Sequence, residues 1–134
     1  MLITRECDYA LRILRAMSRN EKVTVNHICE TGDVPLPFAY KILKKLGQAG
    51  IVQSIRGISG GYILKADLDK ITIYDIICAV EERFHINECM VENYCCSQNK
   101  SCSPCIYHQE LKRVQEIMKQ ELSSKSLAQI FRAC

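Results

Sequence analysis

Five of the nine cysteines lie within the segment 89–105, and no other part of the sequence concentrates ligand-forming side chains in this way. A deprotonated cysteine is a soft anion, which suits zinc and iron–sulfur clusters. Zinc sites usually pair their ligands with two residues between them, and one cysteine pair in this segment has that spacing. The longer spacers favour an iron–sulfur cluster over a zinc ribbon. The full pattern is Cys89-x5-Cys95-Cys96-x5-Cys102-x2-Cys105-x2-His108.

The composition predicts a cytoplasmic protein. No apolar run approaches the ~18 residues that a membrane span needs, and the first residues do not resemble a secretion signal. Thiols stay reduced in the cytosol, so metal or redox chemistry is expected rather than a disulfide framework. Outside the segment, Cys29 and Cys78 lie on apolar faces of predicted helices and are expected in the core. No role is predicted for Cys7 or Cys134.

The sequence before these cysteines has the pattern of a helix-turn-helix. Residues that can cap helices stand before runs of helical periodicity. Pro37 suits the first turn of the third helix, where its missing N–H costs nothing. In that helix Phe38, Ile42 or Leu43, and Leu46 are predicted to face inward. Along the whole chain the predicted caps are Thr4, Thr24, Thr72, Ser103 and Ser126.

A basic surface is predicted on the third helix and on the hairpin that follows it. Residues 1–65 hold ten basic and five acidic side chains, whereas residues 66–134 hold eight and ten. Strands at 51–55 and 62–64 flank a glycine-rich tip that can approach a phosphate or enter a minor groove. This arrangement predicts a wing and double-stranded DNA as the partner. The candidate DNA contacts are Tyr40, Lys41, Lys44, Lys45, Arg56 and Gly57.

A long helix is predicted after the cysteines, with Pro104 as its first residue. Its apolar residues recur at spacings of three and four and form a stripe too long for a small domain to cover. The stripe therefore predicts pairing with a second copy, a homodimer. Packing back onto its own domain is the alternative. The stripe consists of Tyr107, Leu111, Val114, Met118 and Leu122.

These elements predict a mainly α fold with a small β-hairpin wing. A winged helix-turn-helix DNA-binding domain is expected at 1–83, a cysteine-rich cluster-binding loop at 84–104, and a dimerisation helix with a short C-terminal helix at 105–134. The sequence offers no nucleophile–base pair and no phosphate-cradling loop before a helix, so no enzyme is expected. The predicted function is transcription regulation, with the dimer reading a palindromic site.

Nearly the whole chain resembles the Rrf2 family of bacterial winged-helix regulators. The resemblance is carried by residues 4–12, 40–50, 56–62 and 75–81 and by the cysteine-rich loop. The wing motif together with that loop is the most specific part. The resemblance implies a dimer with crossing long helices, a wing that reaches the minor groove, and one iron–sulfur cluster per subunit.

The resemblance also implies three cysteine ligands and a fourth ligand of another type. By register Cys89, Cys95 and Cys105 match the three cysteines, and Cys105 stands at a helix start, where the dipole favours a thiolate. His108 matches the position where some members place a histidine, which suits a 2Fe–2S cluster. Asp8 matches the position where others supply a carboxylate from the partner subunit, which suits a 4Fe–4S cluster.

Several alternatives stay open from the sequence. Cys96 and Cys102 depart from the three-cysteine pattern, and either can replace an assigned ligand. The same fold admits a regulator that uses zinc or reactive thiols, or one that controls cysteine metabolism without a cluster. The signal, whether iron–sulfur status, nitric oxide or redox state, is not specified by these residues.

Overall fold

Six α-helices and a two-stranded hairpin form the described part of the chain in this computed structural model. The structure describes residues 3–19, 22–81, 83–100 and 104–133. None of the helices in these ranges is long and apolar enough to cross a membrane. In chain order the elements are α1 Arg5–Met17, α2 Val25–Gly32, α3 Leu36–Gln48, β1 Val52–Ile55, β2 Gly61–Leu64, α4 Ile73–Val80, a 3-10 turn at Glu88–Met90, α5 Ile106–Leu122 and α6 Leu127–Arg132.

Four of the five predicted helix caps are confirmed. Thr4, Thr24, Thr72 and Ser126 each accept a hydrogen bond from a backbone N–H three residues further on. At Thr72 and Ser126 the side chain three residues on bonds back to the cap, which satisfies two otherwise unpaired N–H groups at once. Short polar side chains thus set where α1, α2, α4 and α6 begin.

The fifth cap, Ser103, lies outside the described residues, and the start of α5 differs from the prediction. The helix begins at Ile106 with Cys105 at its N-cap, so Pro104 precedes the helix instead of opening it. The Cys105 side chain makes no capping hydrogen bond. The backbone N–H of Cys105 instead donates to Asn99 Oδ1 at 3.1 Å, which ties the helix start to the preceding loop.

The core forms where α1, α3 and α4 meet, and α2, β1 and α6 close it. Burying aliphatic side chains of this size supplies the main force that holds the helices together. The largest fully buried side chains include Ile13, Leu14, Met17, Ile28, Ile42, Leu43, Leu46, Ile76, Ile77 and Leu127.

Two residues expected inside lie at the surface. Phe38 is 42% exposed, and its ring rests against that of Tyr9 with centroids 5.5 Å apart. Ala39 takes the buried position of that turn, which rotates the inner face of α3 by one residue from the prediction. Cys78 is exposed because Ile77 and its neighbours fill the inner face of α4. Cys29 is half-buried beside the core, close to expectation.

The hairpin is confirmed and is fastened to the helical body. Its strands pair antiparallel from Val52 opposite Leu64 to Ile55 opposite Gly61. Val23, just before α2, exchanges two backbone hydrogen bonds of 2.9 and 2.7 Å with Tyr62. Only glycine fits at Gly61, since a Cβ there would lie 2.5 Å from the Val23 oxygen.

The long helix α5 buries no side chain within this chain. It packs lightly against α4 and the 3-10 turn. Four residues of its apolar stripe are half-buried, whereas the first, Tyr107, is 73% exposed. The chain therefore covers its own stripe only in part, which leaves apolar surface on a 17-residue helix open to solvent.

We expect Leu46→Ala to lower the free energy of unfolding by about 2–5 kcal/mol, because it leaves a cavity between α1, α3 and α4. Leu46 is fully buried. The matched control is Ile58→Ala at the wing tip, where the side chain is fully exposed and the cost should stay within about 0.5 kcal/mol. Urea denaturation followed by circular dichroism measures both. Equal losses in the two variants would contradict this core.

Candidate nucleic-acid interface and thiol cavity

The exposed face of α3 and the hairpin enclose a groove of about 470 Å³. Tyr40 and Lys44 line its helical side. Gln53 and Ser54 line the opposite side from β1, where both are exposed while Val52 is buried. Neither of these polar residues was predicted as a DNA contact, although their place in a short strand was a usable signal. The groove joins charged, aromatic and amide side chains, the types that contact phosphates and base edges.

Arg56 and Gly57 stand at the turn of the wing, where a contact with DNA was predicted. Gly57 adopts φ +108°, a conformation that side chains other than glycine rarely tolerate. The next residue, Ile58, is fully exposed at the tip. Lys22 Nζ donates to the Ser59 carbonyl at 2.6 Å and holds the tip from the helical side. Within the described ranges, no carboxylate lies within ion-pair distance of Arg56 or Lys44.

The other two candidate lysines of α3 are paired with Glu6 of α1, a residue the sequence analysis did not connect with them. Lys45 Nζ lies 2.6 Å from one carboxylate oxygen of Glu6 and also donates to the Val80 carbonyl at 2.8 Å. Lys41 Nζ donates to the other oxygen. Hydrogen bonds from Lys41 and then Lys45 hold the pKa of Glu6 below its ordinary value. Glu6 therefore joins α1 to α3, and Lys45 extends this junction to the end of α4.

A buried cysteine lies next to this junction. The Cys7 side chain is fully buried, and its Sγ lies 3.8 Å from Glu81 Oε1, which also accepts a hydrogen bond from Thr4 Oγ1. Burial raises the pKa of the Cys7 thiol, so the sulfur stays protonated and poorly nucleophilic. Cys7 thus packs and bonds locally, apart from the cysteine-rich loop.

The second site is a cavity of about 500 Å³ between the cysteine-rich loop and the start of α5. Three predicted ligands, Cys89, Cys105 and His108, line it, and Cys96 lines it as well. Cys89 lies in the 3-10 turn, whereas Cys105 and His108 come from the first turn of α5. The His108 Nδ1 is buried and has no hydrogen-bond partner among the described residues. A buried ring nitrogen without a partner marks an incomplete polar site.

Cys95 is placed differently from its neighbour. It is exposed, does not line the cavity, and directs Sγ toward the Asn93 carbonyl at 3.9 Å. Cys102, the other alternative ligand, lies outside the described residues. Among the His, Cys, Asp and Glu side chains that the structure describes, no three stand close enough to hold a metal ion. The donors share one cavity, but they are not gathered at a single point.

Asp8, the other candidate for the fourth ligand, is engaged on α1. Its Oδ2 lies 3.1 Å from Arg12 Nε, and Arg12 also approaches Asp33 at 3.8 Å. Asp8 does not line the thiol cavity of its own chain. Within one chain, His108 therefore shares a cavity with three cysteines, whereas Asp8 is paired with Arg12 on α1.

The helix-turn-helix, the fastened wing and the groove between them define the chain as a winged-helix transcription regulator. The chain belongs to the Rrf2 family, described as iron-dependent transcriptional regulators, whose model matches residues 3–133. It is a regulator and not an enzyme.

Known proteins similar to the chain point the same way. A putative HTH-type transcriptional regulator of Aquifex aeolicus is 34% identical over 125 residues, 89% of this chain and 86% of that protein. The regulator NsrR of Bacillus subtilis is 34% identical over 96 residues, 69% of this chain and 66% of its own. The structure of CymR, the global cysteine regulator of B. subtilis, superposes with a TM-score of 0.78 at 22% identity, covering 100% of this chain and 98% of that one.

We expect Glu6 to make folding stability depend on pH on the acid side. Because the pKa of Glu6 is lower in the folded chain than its ordinary 4.5, its stabilising effect is present above that value. The effect is lost as the pH falls through the folded pKa. Glu6→Gln removes the charge, so its deficit in unfolding free energy against wild type should shrink below pH 4.5. Urea titrations between about pH 7 and pH 3 measure this, and a constant deficit would contradict it.

Proposed function

We propose that this Rrf2-family regulator acts in the cytoplasm as a homodimer that binds palindromic double-stranded DNA and carries an iron–sulfur cluster, 2Fe–2S or 4Fe–4S. The observation that carries the proposal is the shared cavity of Cys89, Cys96, Cys105 and His108, in which the buried His108 Nδ1 has no partner among the described residues. Thiolates with an imidazole form a known donor set for iron–sulfur clusters. The thiols and the imidazole that line this cavity are therefore suitable ligands for an iron–sulfur cluster.

The proposed ligands are Cys89, Cys105, His108 and one thiol of the adjacent pair Cys95 and Cys96. Register within the family favours Cys95, whereas the cavity favours Cys96. When bound, such a cluster supplies redox-active iron that responds to iron–sulfur status, nitric oxide or oxidants. His108 serves as the fourth ligand in preference to Asp8 of the partner subunit, because His108 already lines the cavity.

A change at the cluster would reach the rest of the protein through the cysteine-rich loop and through α4 and α5, which flank it. The loop follows α4, whose last carbonyl, that of Val80, accepts a hydrogen bond from Lys45 of α3, and it leads into the start of α5. Cys105 stands at the N-cap of α5, so a bond between its sulfur and the cluster would tie the loop to the dimer helix. A change in how the loop is held therefore acts on the recognition helix through α4 and on the dimer helix through Cys105.

Dimer formation is proposed on the partly covered apolar stripe of α5 and the exposed apolar residues beside it. No side chain of this helix is buried in the single chain, and apolar residues along it, Ile117 among them, remain exposed. A second copy of the same helix offers a matching apolar surface. A two-fold dimer would place two recognition helices on half-sites about one helical turn apart, so we expect it to prefer a palindrome.

Isolation without oxygen tests the cluster. We expect brown protein with bound iron and acid-labile sulfide, and we expect Cys105→Ser to lose most of the iron because it removes a thiol that lines the cavity. The matched control is Cys78→Ser, an exposed cysteine on α4, which should keep wild-type iron content. Visible absorption and iron analysis measure both. Colourless, iron-free protein that cannot be loaded afterwards would refute the proposal.

A pair of neighbouring variants extends the same measurement to the third thiol. Cys96→Ser should lose more iron than Cys95→Ser, because Cys96 lines the cavity and Cys95 does not. The reverse order would support the ligand set given by family register instead.

A second function has its own support. The similarity to CymR, described as a cysteine regulator, and the separation of the thiols both suit a regulator that works without a cluster. Zinc bound by the same cysteines is the other alternative on this fold. Zinc instead of iron in the purified protein, or neither metal with DNA binding intact, would favour this second function.

For DNA binding we propose Lys44 and Arg56 as phosphate contacts, with Lys41 and Lys45 as further cationic candidates. Tyr40 is proposed to reach base edges, and Gly57 allows the wing close to the duplex.

We expect Lys44→Gln and Arg56→Ala each to weaken binding to a mixed-sequence duplex. Each should also make the negative slope of log K against log salt shallower, by about 0.9 for every phosphate that a subunit no longer neutralises. Fluorescence anisotropy over a salt series measures this. Lys125→Gln, on the turn between α5 and α6, is the control of equal charge. If all three variants behave alike, the interface is misplaced.

A further inference from the structure

Glu6 places a negative charge against the lysines of the recognition helix, at a position where DNA phosphates would otherwise compete for them. We propose that Glu6 acts as an internal substitute for a DNA phosphate at Lys41, and so lowers the affinity of the recognition helix for DNA. The proposal depends on the DNA-binding surface described above but not on the presence of a cluster.

Lys41 and Lys45 differ in how firmly they are held. Lys45 is held twice, by Glu6 Oε2 at 2.6 Å and by the Val80 carbonyl at 2.8 Å, and its side chain is 31% exposed. Lys41 is 56% exposed, and Glu6 is its one ion-pair partner in the part of the chain that the structure describes. Lys45 therefore anchors α3, whereas Lys41 is the lysine that can exchange Glu6 for another anion.

The geometry of Glu6 suits such an exchange. Its side chain is 19% exposed, so the carboxylate is shielded from solvent but reachable from the side of Lys41. A lysine ammonium is a compact point charge that binds a carboxylate oxygen and a phosphate oxygen in the same manner. A lysine already neutralised by a carboxylate adds little to the release of counterions from DNA. Lys44 has no such partner in the described ranges and therefore contributes its full charge to the release of counterions.

The position of Glu6 is fixed independently of Lys41. Lys45 bonds to both Glu6 and the last turn of α4, and Glu81 at that end is bonded back to Thr4 on α1. The carboxylate therefore stays beside α3 when Lys41 moves away. DNA binding through Lys41 must then leave a partly buried carboxylate with one partner fewer, which is unfavourable.

Glu6→Gln tests the inference on the full-length chain with a mixed-sequence duplex of about 30 base pairs. The amide oxygen can still accept a hydrogen bond from one of the two lysines, whereas the NH2 group accepts none, and the side chain carries no charge. We expect binding about three- to tenfold tighter near 100 mM salt, and a slope of log K against log salt steeper by about 0.9 per subunit. Circular dichroism checks that the variant is folded.

Two further variants assign the effect to Lys41. Asp69→Asn removes one negative charge from an exposed ion pair with Arg132 on α6, and should gain less than half as much affinity. In a Lys41→Gln background, Glu6→Gln should no longer tighten binding. An unchanged affinity for Glu6→Gln, a gain no larger than that of Asp69→Asn, or a gain that persists without Lys41 overturns the inference.

If Glu6→Gln does not fold, the inference can still be tested with Glu6 in place, by comparing Lys41→Gln with Lys44→Gln. Lys41→Gln should then reduce the salt slope by less than half of the reduction caused by Lys44→Gln. Equal reductions overturn the inference. If wild-type protein binds no duplex at all, the proposed function itself fails, whereas normal wild-type binding with no effect of Glu6 refutes only the role of Glu6.

Discussion

Everything that the chain can do with DNA depends on how firmly α3 is held. Its inner face is apolar and packs against α1 and α4, which fixes the depth and the rotation of the helix in the domain. A polar contact reinforces this position, since Lys45 bonds to Glu6 on α1 and to the Val80 carbonyl at the end of α4. A recognition helix held from two sides presents Tyr40 and Lys44 in one orientation.

Local signals made most of the architecture predictable from sequence. Thr4, Thr24, Thr72 and Ser126 cap helices because the donor each satisfies lies three residues away, so the signal is complete within a few positions. The hairpin was equally readable, because glycines at its tip and base allow turns and close approaches that other residues do not. Family resemblance added the expected set of cluster ligands, which the spacing of the cysteines alone left open.

The errors and omissions involve contacts between distant positions. Glu6 and Lys45 are 39 residues apart, so no periodicity links them. Phe38 and Cys78 lie on apolar stretches, yet neighbouring residues take the buried positions, and only the packed helices decide which. The alignment of this sequence with the family pattern assigned Cys95 as a ligand, whereas in the folded loop Cys96 lines the cavity. Side-chain direction in an irregular loop is fixed by tertiary contacts.

The attachment of the wing to the helical body limits how far the protein can change shape when it binds a duplex. Val23 and Lys22 tie the hairpin to the helical body at Tyr62 and Ser59, so the distance between the tip and α3 is set before any encounter. We expect a hairpin fastened at these two points to follow variations in groove width less freely than a detached one. A duplex that bends or narrows easily would then be favoured, and base steps that are never touched would contribute to recognition.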